Sequence, residues 1–189
     1  MTTMDRILEI AGDQHGYITA RQANEAGIPP VELRKLAQRG RLDHPAHGVY
    51  RVASFPRRAV DELMQATLWA DGRGVISHES ALALWDLADV NPQRIHVTVP
   101  PPYRPRKRGG DKYRIWTRPL DPRDIDYVEG VPTVTPERAI IDATLNGLQR
   151  RFIQQAILTA RNRQLFGRET EMRIRQRLQD THNDRDDAS

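Results

Sequence analysis

Thr19-Ala20-Arg21-Gln22-Ala23-Asn24-Glu25-Ala26-Gly27-Ile28-Pro29-Pro30-Val31-Glu32-Leu33-Arg34-Lys35-Leu36-Ala37-Gln38-Arg39-Gly40 is the stretch whose reading decides the fold. Thr19 suits an N-cap, because its hydroxyl can accept a backbone N–H that a first helical turn leaves unpaired. The spacing predicts a helix over residues 20–26. Gly27 ends it, since glycine enters the left-handed region without a Cβ clash. Ala23 is small enough to let a second helix cross closely. That helix is expected to begin near Pro29 or Pro30, where a missing N–H costs little, and to run through Arg39 until Gly40 stops it. Val31, Leu33, Leu36 and Ala37 give it an apolar stripe. Glu32, Arg34, Lys35, Gln38 and Arg39 make up its other face. Two helices joined by a glycine turn in this order read as a helix-turn-helix.

Working outward, Met4, Ile7, Leu8, Ile10 and Ala11 repeat at helical spacing and supply a third helix to cover the small core. Downstream, Arg41 and Leu42, then residues 49–52, read as two short strands joined through His44, Pro45, Ala46, His47 and Gly48. The result is a winged helix-turn-helix over residues 1–55. Its second helix carries a face suited to phosphates and base edges, with Arg34, Lys35, Gln38 and Arg39 as contacts to double-stranded DNA. Arg41, His47 and Arg51 are expected on the wing, against the DNA backbone. The alternative is a three-helix module with a hairpin that binds another protein.

The same residues carry a family resemblance. Gly16-Tyr17-Ile18-Thr19-Ala20-Arg21-Gln22-Ala23, Ala26-Gly27-Ile28, Leu36-Ala37-Gln38-Arg39-Gly40-Arg41-Leu42 and His47-Gly48-Val49-Tyr50-Arg51 are similar to the N-terminal domain of AbiEi-type antitoxins of type IV toxin-antitoxin and abortive-infection systems. Gly130-Val131-Pro132-Thr133-Val134-Thr135-Pro136-Glu137-Arg138-Ala139-Ile140-Ile141-Asp142 resembles a stretch of that family's second domain. The chain departs from the family pattern at Pro29 and Pro30, where members often open the recognition helix with Ser or Thr. The resemblance implies a DNA-binding antitoxin that binds operator repeats upstream of its own operon and represses it. It also implies neutralisation of a cognate nucleotidyltransferase-like toxin, with or without direct contact. Because one small module discriminates weakly, self-association on DNA is expected.

Composition agrees with this frame. A chain of 189 residues, 38% apolar and 29% charged, holds two small globular domains, and a formal charge of +4 tilts it towards polyanions. Without cysteine it has neither disulfides nor thiolate metal sites. No leader-like segment or membrane-length apolar window is visible, so the expectation is a cytoplasmic protein.

From about residue 56 the pattern changes. Ala59, Val60, Leu63, Met64, Ala66, Thr67, Leu68 and Ala70 suit a buried helix, and Ser77 is read as the cap of another carrying Ala81, Leu82, Leu84, Trp85 and Leu87. Ile95, Val97 and Val99, then Tyr113, Ile115 and Thr117, alternate as strands do. Residues 126–134 read as a strand or hairpin turning at Gly130. Thr135 caps a helix that starts at Pro136, and Phe152, Ile153, Ala156, Ile157 and Ala160 mark one more. The fold class expected is therefore α+β: the winged helix-turn-helix, then a small mixed α+β domain over residues 56–166. Residues 167–189 are read as a solvent-exposed terminal helix on Met172, Ile174 and Leu178, and a disordered polar tail from Asp180.

Between the two central strands, residues 104–118 hold seven basic side chains against the single acid Asp111. Four prolines, Pro100, Pro101, Pro102 and Pro105, predict an extended loop, and Gly109-Gly110 a flexible tip. One reading makes Arg104, Arg106, Lys107 and Arg108 a second phosphate-contacting arm. The other makes the loop a solvated one whose charge aids solubility.

Catalytic patterns are weak. Asp124-Ile125-Asp126 has the spacing by which nucleotidyltransferases hold two cations, but no Gly-Ser phosphate loop precedes it, so it reads as turn chemistry. His44 and His47 lack further ligands for a metal. Ser77-His78-Glu79-Ser80 is better explained by capping than by a nucleophile and base. The expectation is no catalytic, cofactor or metal residue. Two rivals stay open: a transcriptional regulator without a toxin partner, and a nucleic-acid-processing enzyme.

Overall fold

The structure is a computed structural model that describes residues 2–106 and 109–186, with side chains described through residue 180. The N-terminal part runs α1 (Thr3–Gly12), β1 (Tyr17–Thr19), α2 (Ala20–Glu25), α3 (Pro30–Gln38), β2 (Leu42–Ala46) and β3 (Val49–Val52). Thr19 caps α2 as expected: its side chain accepts from Gln22 N, and Gln22 reaches back to Thr19 N. Gly27 and Gly40 take φ of +70° and +67° at the ends of α2 and α3. Ile7, Ala11, Ile18, Ala23, Ile28, Leu33, Leu42, Tyr50 and Val52 form the first core. Val31 was expected in the apolar stripe, but it is exposed, and Ile28 from the turn before α3 is buried in this core.

β1 is a strand the sequence reading lacked. It pairs antiparallel with β3, so the sheet order is β1-β3-β2 and the wing strand β3 becomes central rather than marginal. Every residue of β3 is buried. Gly16, just before β1, has φ +83°, and a Cβ there would lie 2.5 Å from the Phe55 ring, so only glycine lets the chain pass under that ring.

The second part runs α4 (Asp61–Trp69), β4 (Val75–Ile76), α5 (His78–Leu84), β5 (Ile95–Val99), β6 (Tyr113–Thr117), β7 (Ile125–Val128), β8 (Val131–Val134), α6 (Pro136–Leu145), α7 (Arg150–Asn162) and α8 (Arg168–Asp186). Its five-stranded mixed sheet has the order β6-β5-β4-β8-β7, with β5–β6 and β4–β8 parallel. Both predicted strands, the hairpin at Gly130 and the Thr135 cap are present. The fold is α+β. The terminal helix is mostly exposed, as expected, but it is also docked: Ile174 is fully buried and, with Leu178 beside it, joins the second core. It also continues through Asp186, past the expected start of the disordered tail, while residues 187–189 lie outside the described residues.

α4 packs against the sheet on one side and against β1 and β3 of the winged part on the other. Tyr17 and Val49 accordingly belong to the second core. The opposite sheet face meets α5 through polar groups. Ser77 occupies the N-cap position of α5 but does not cap it; its Oγ lies 2.9 Å from His78 Nδ1 and accepts from Thr98 Oγ1 at 2.8 Å. His78 is fully buried at φ +51° and stacked on Trp116 at 4.2 Å. Glu79 Oε2 approaches His96 Nδ1 at 2.8 Å.

Burial, with the neighbouring His96, holds the His78 pKa down at about 3, against an ordinary 6.5. The unfolded chain then binds a proton that the folded chain refuses whenever pH lies between those values. Stability contributed here is complete above the unfolded pKa and falls as pH drops below it, by up to about 1.4 kcal/mol per pH unit. Burial alone would raise Glu79, but hydrogen bonds from His96, its own backbone and Asn146 outweigh it and hold the carboxyl at about 2, so its contribution is lost only below the ordinary carboxylate range. His78→Asn, which tolerates positive φ, is expected to flatten the stability profile on the acid side of neutrality. Urea unfolding at several pH values checks this, and parallel profiles for parent and variant would contradict it.

Candidate nucleic-acid interface

α3 is seated on its core through Leu33, with Leu36 and Ala37 partly covered. Pro29 holds the N-cap position with φ −61° and no side-chain cap, and Pro30 opens the helix. The helix therefore presents Arg34, Lys35, Gln38 and Arg39 to solvent. Arg34, Gln38 and Arg39 make no side-chain hydrogen bond or ion pair with any described residue. Lys35 Nζ donates to Glu32 Oε1 at 2.9 Å. An exposed pair of this kind contributes about 0–1 kcal/mol and yields readily to a stronger anion such as phosphate.

The wing strands meet at a turn whose Gly48 O accepts from Ala20 N at 2.8 Å, so the wing tip is fastened to the start of α2. His47 is exposed at the tip of this hairpin and Arg41 is exposed at its base, just before β2. His44 stacks on Tyr50 with ring centroids 4.4 Å apart.

Arg51 is not on the DNA-facing surface. It is 1% exposed, and its Nη2 donates to Phe55 O, Pro56 O and, at 3.0 Å, Asp61 Oδ2 at the start of α4. His15 Nδ1 lies 3.3 Å from the other oxygen of Asp61, and His15 Nε2 is 2.6 Å from Glu129 O in the β7–β8 turn. Arg51 is thus a fastening between the two parts. Its register explains the correction, because Val49 and Arg51 point from the central strand towards α4 while Tyr50 and Val52 point into the first core.

Arg104 and Arg106 are exposed on the proline-rich loop; Lys107 and Arg108 lie outside the described residues. The two glycines expected at the loop tip lie beside Trp69. Gly110 sits against Trp69, where a Cβ would lie 3.1 Å from the indole, and it opens a short 3-10 turn leading into β6. Tyr103 OH donates to Asp71 Oδ2 at 2.9 Å, and Arg21 of α2 donates to Asp71 O at 3.1 Å. Arg21 and Arg73 were not singled out from sequence. Arg21 had a local signal, a basic residue on the polar side of α2, whereas Arg73 had none.

Of the Asp-x-Asp motif, Asp124 accepts from Arg138 Nη1 at 2.7 Å and Asp126 accepts from Tyr127 N at 2.8 Å. Both carboxylates are engaged in local structure.

Across 92% of this chain and 71% of the other, the structure is similar to the crystal structure of the RV2827C protein from Mycobacterium tuberculosis, with a TM-score of 0.56 and 16% identity, a likeness of fold. No curated protein matches the chain. Residues 5–53 match the family described as transcriptional regulator, AbiEi antitoxin. That matched segment spans α1 through the wing, so the likeness to transcriptional regulators of the AbiEi antitoxin type covers the N-terminal part of the chain.

Proposed function

We propose that this chain is a DNA-binding repressor of its own operon and that its second part neutralises a nucleotidyltransferase-like toxin, without catalysis of its own. The supporting observation is the exposed face of α3, whose Arg34, Gln38 and Arg39 are unengaged among the described residues, on a domain matching regulators of the AbiEi antitoxin type. α3 lies in a major groove, with Arg34, Lys35 and Gln38 on base edges or phosphates and Arg39, Arg41 and His47 on the adjoining backbone. Residues 1–55 read DNA. Residues 56–166, with the helix that follows packed on them, carry the antitoxin function. Since one mismatched base pair costs only about 1–3 kcal/mol, two copies self-associating on operator repeats supply the specificity. The protein works in the cytoplasm, where its operator is.

The test is a reporter driven by the DNA upstream of the gene, combined with co-expression of the neighbouring gene. Repression of the reporter and rescue of growth are expected. Repression without rescue makes the chain a regulator with no toxin partner, and metal-dependent cleavage of labelled duplex would replace both readings with a nucleic-acid-processing enzyme.

A further inference from the structure

We propose that Arg21, Arg73, Arg104 and Arg106 form a second phosphate-contacting surface for duplex DNA, built across both parts of the chain around Asp71. It rests on the DNA-binding reading above and extends it to the second part.

The argument starts at the turn after α4. Asp71 and Gly72 both have positive φ, 57° and 69°, which folds the turn back towards α2. From there the Asp71 carbonyl accepts the Arg21 guanidinium and its carboxylate accepts the Tyr103 hydroxyl. Arg73 lies over the Tyr103 ring, 4.8 Å from its centroid. Three segments distant in sequence, α2, the turn and the proline-rich loop, are therefore tied at one point. Burial and the neighbouring Asp71 push the Tyr103 hydroxyl up to about 12, so it stays a proton donor at any working pH.

Around this tie all four arginine side chains are exposed. Of the acids, Asp71 is engaged as described, and Glu25 lies 3.8 Å from Arg21 as an exposed pair. In a helix-turn-helix the first helix crosses the DNA backbone while the second enters the groove. Arg21 is the second residue of α2, so the arginines of the turn and the loop continue a cationic track from the helix that meets the backbone. A loop whose charge served only solubility would have no need of a fixed base beside α2. A duplex with α3 in its major groove would meet this track with its phosphates, which carry one charge about every 1.7 Å of helix axis.

The test uses the full chain and fluorescence anisotropy over a range of salt concentrations, with three probes: duplex from its own upstream region, scrambled duplex and single-stranded RNA. Arg104→Ala with Arg106→Ala is expected to reduce the slope of log affinity against log salt by about two, with on the order of tenfold weaker binding at low salt, on both duplexes alike. Arg73→Ala should remove about one unit of slope. An unchanged slope in these variants, while Arg34→Ala still weakens the upstream duplex, overturns the arginine surface and leaves the recognition helix standing. A parent protein that ignores duplex overturns both. Preference of the parent for single-stranded RNA, lost in the double variant, overturns the assignment to duplex DNA.

Discussion

Asp61→Ala is expected to destabilise the protein by about 3–5 kcal/mol, the range found when one member of a buried ion pair is removed and its partner is left uncompensated. Asp61 and Arg51 are 6% and 1% exposed, and once the carboxylate is gone the guanidinium is left with the Phe55 and Pro56 carbonyls and the face of the Tyr17 ring, none of which neutralises its charge. Even in the parent, Arg51 Nε has no hydrogen-bond partner among the described residues. His15 loses the same carboxylate, so the substitution loosens the joint between the winged part and α4 at two points. Replacing both Arg51 and Asp61 by leucine removes the unpaired charge and should cost less than Asp61→Ala alone. Urea unfolding measures all three proteins. A loss below about 1 kcal/mol for Asp61→Ala, within the range of an exposed pair, would mean that the cluster does not hold the two parts together.

Arg34→Ala combined with Lys35→Ala is expected to weaken operator binding by about 2–6 kcal/mol, taking about 1–3 kcal/mol for each side chain that reads a base. Both are exposed, and neither supports the core beneath α3, so folding should be unaffected. The two roles separate by sequence dependence. If a side chain reads a base, its loss falls on operator more than on scrambled duplex; if it meets phosphate, both weaken alike. Titration of matched duplexes with parent and variant decides between them, and equal affinity for parent and variant would mean that α3 is not the recognition helix.

The winged helix-turn-helix was legible because its signals are local. The Thr19 cap, Gly27, Gly40 and the leucine spacing of α3 each act within a few residues, and the structure has all of them. Arg51 was misread because its environment is set from a distance. A three-residue β1 and the covering helix α4 turn an apparent edge strand into a central one, and strand alternation in the sequence cannot tell a solvent face from a second buried face. The same limit applies to Gly109-Gly110, whose packing depends on Trp69, and to Ser77, whose hydroxyl serves Thr98 and His78 instead of the helix end. Ile174 shows the reverse case. A thin apolar stripe among arginines gave no sign of docking, yet Ile174 and Leu178 pack on the second core and Arg173 pairs with Glu137 of α6.

Methylation interference at guanine N7 tests the central claim most directly, because N7 faces only the major groove. On DNA from its own upstream region, methylated guanines in the bound half-sites should block the parent protein, and Arg34→Ala should relieve the block at particular positions. Binding indifferent to N7 methylation, or protection confined to minor-groove positions, would contradict a recognition helix seated in the major groove.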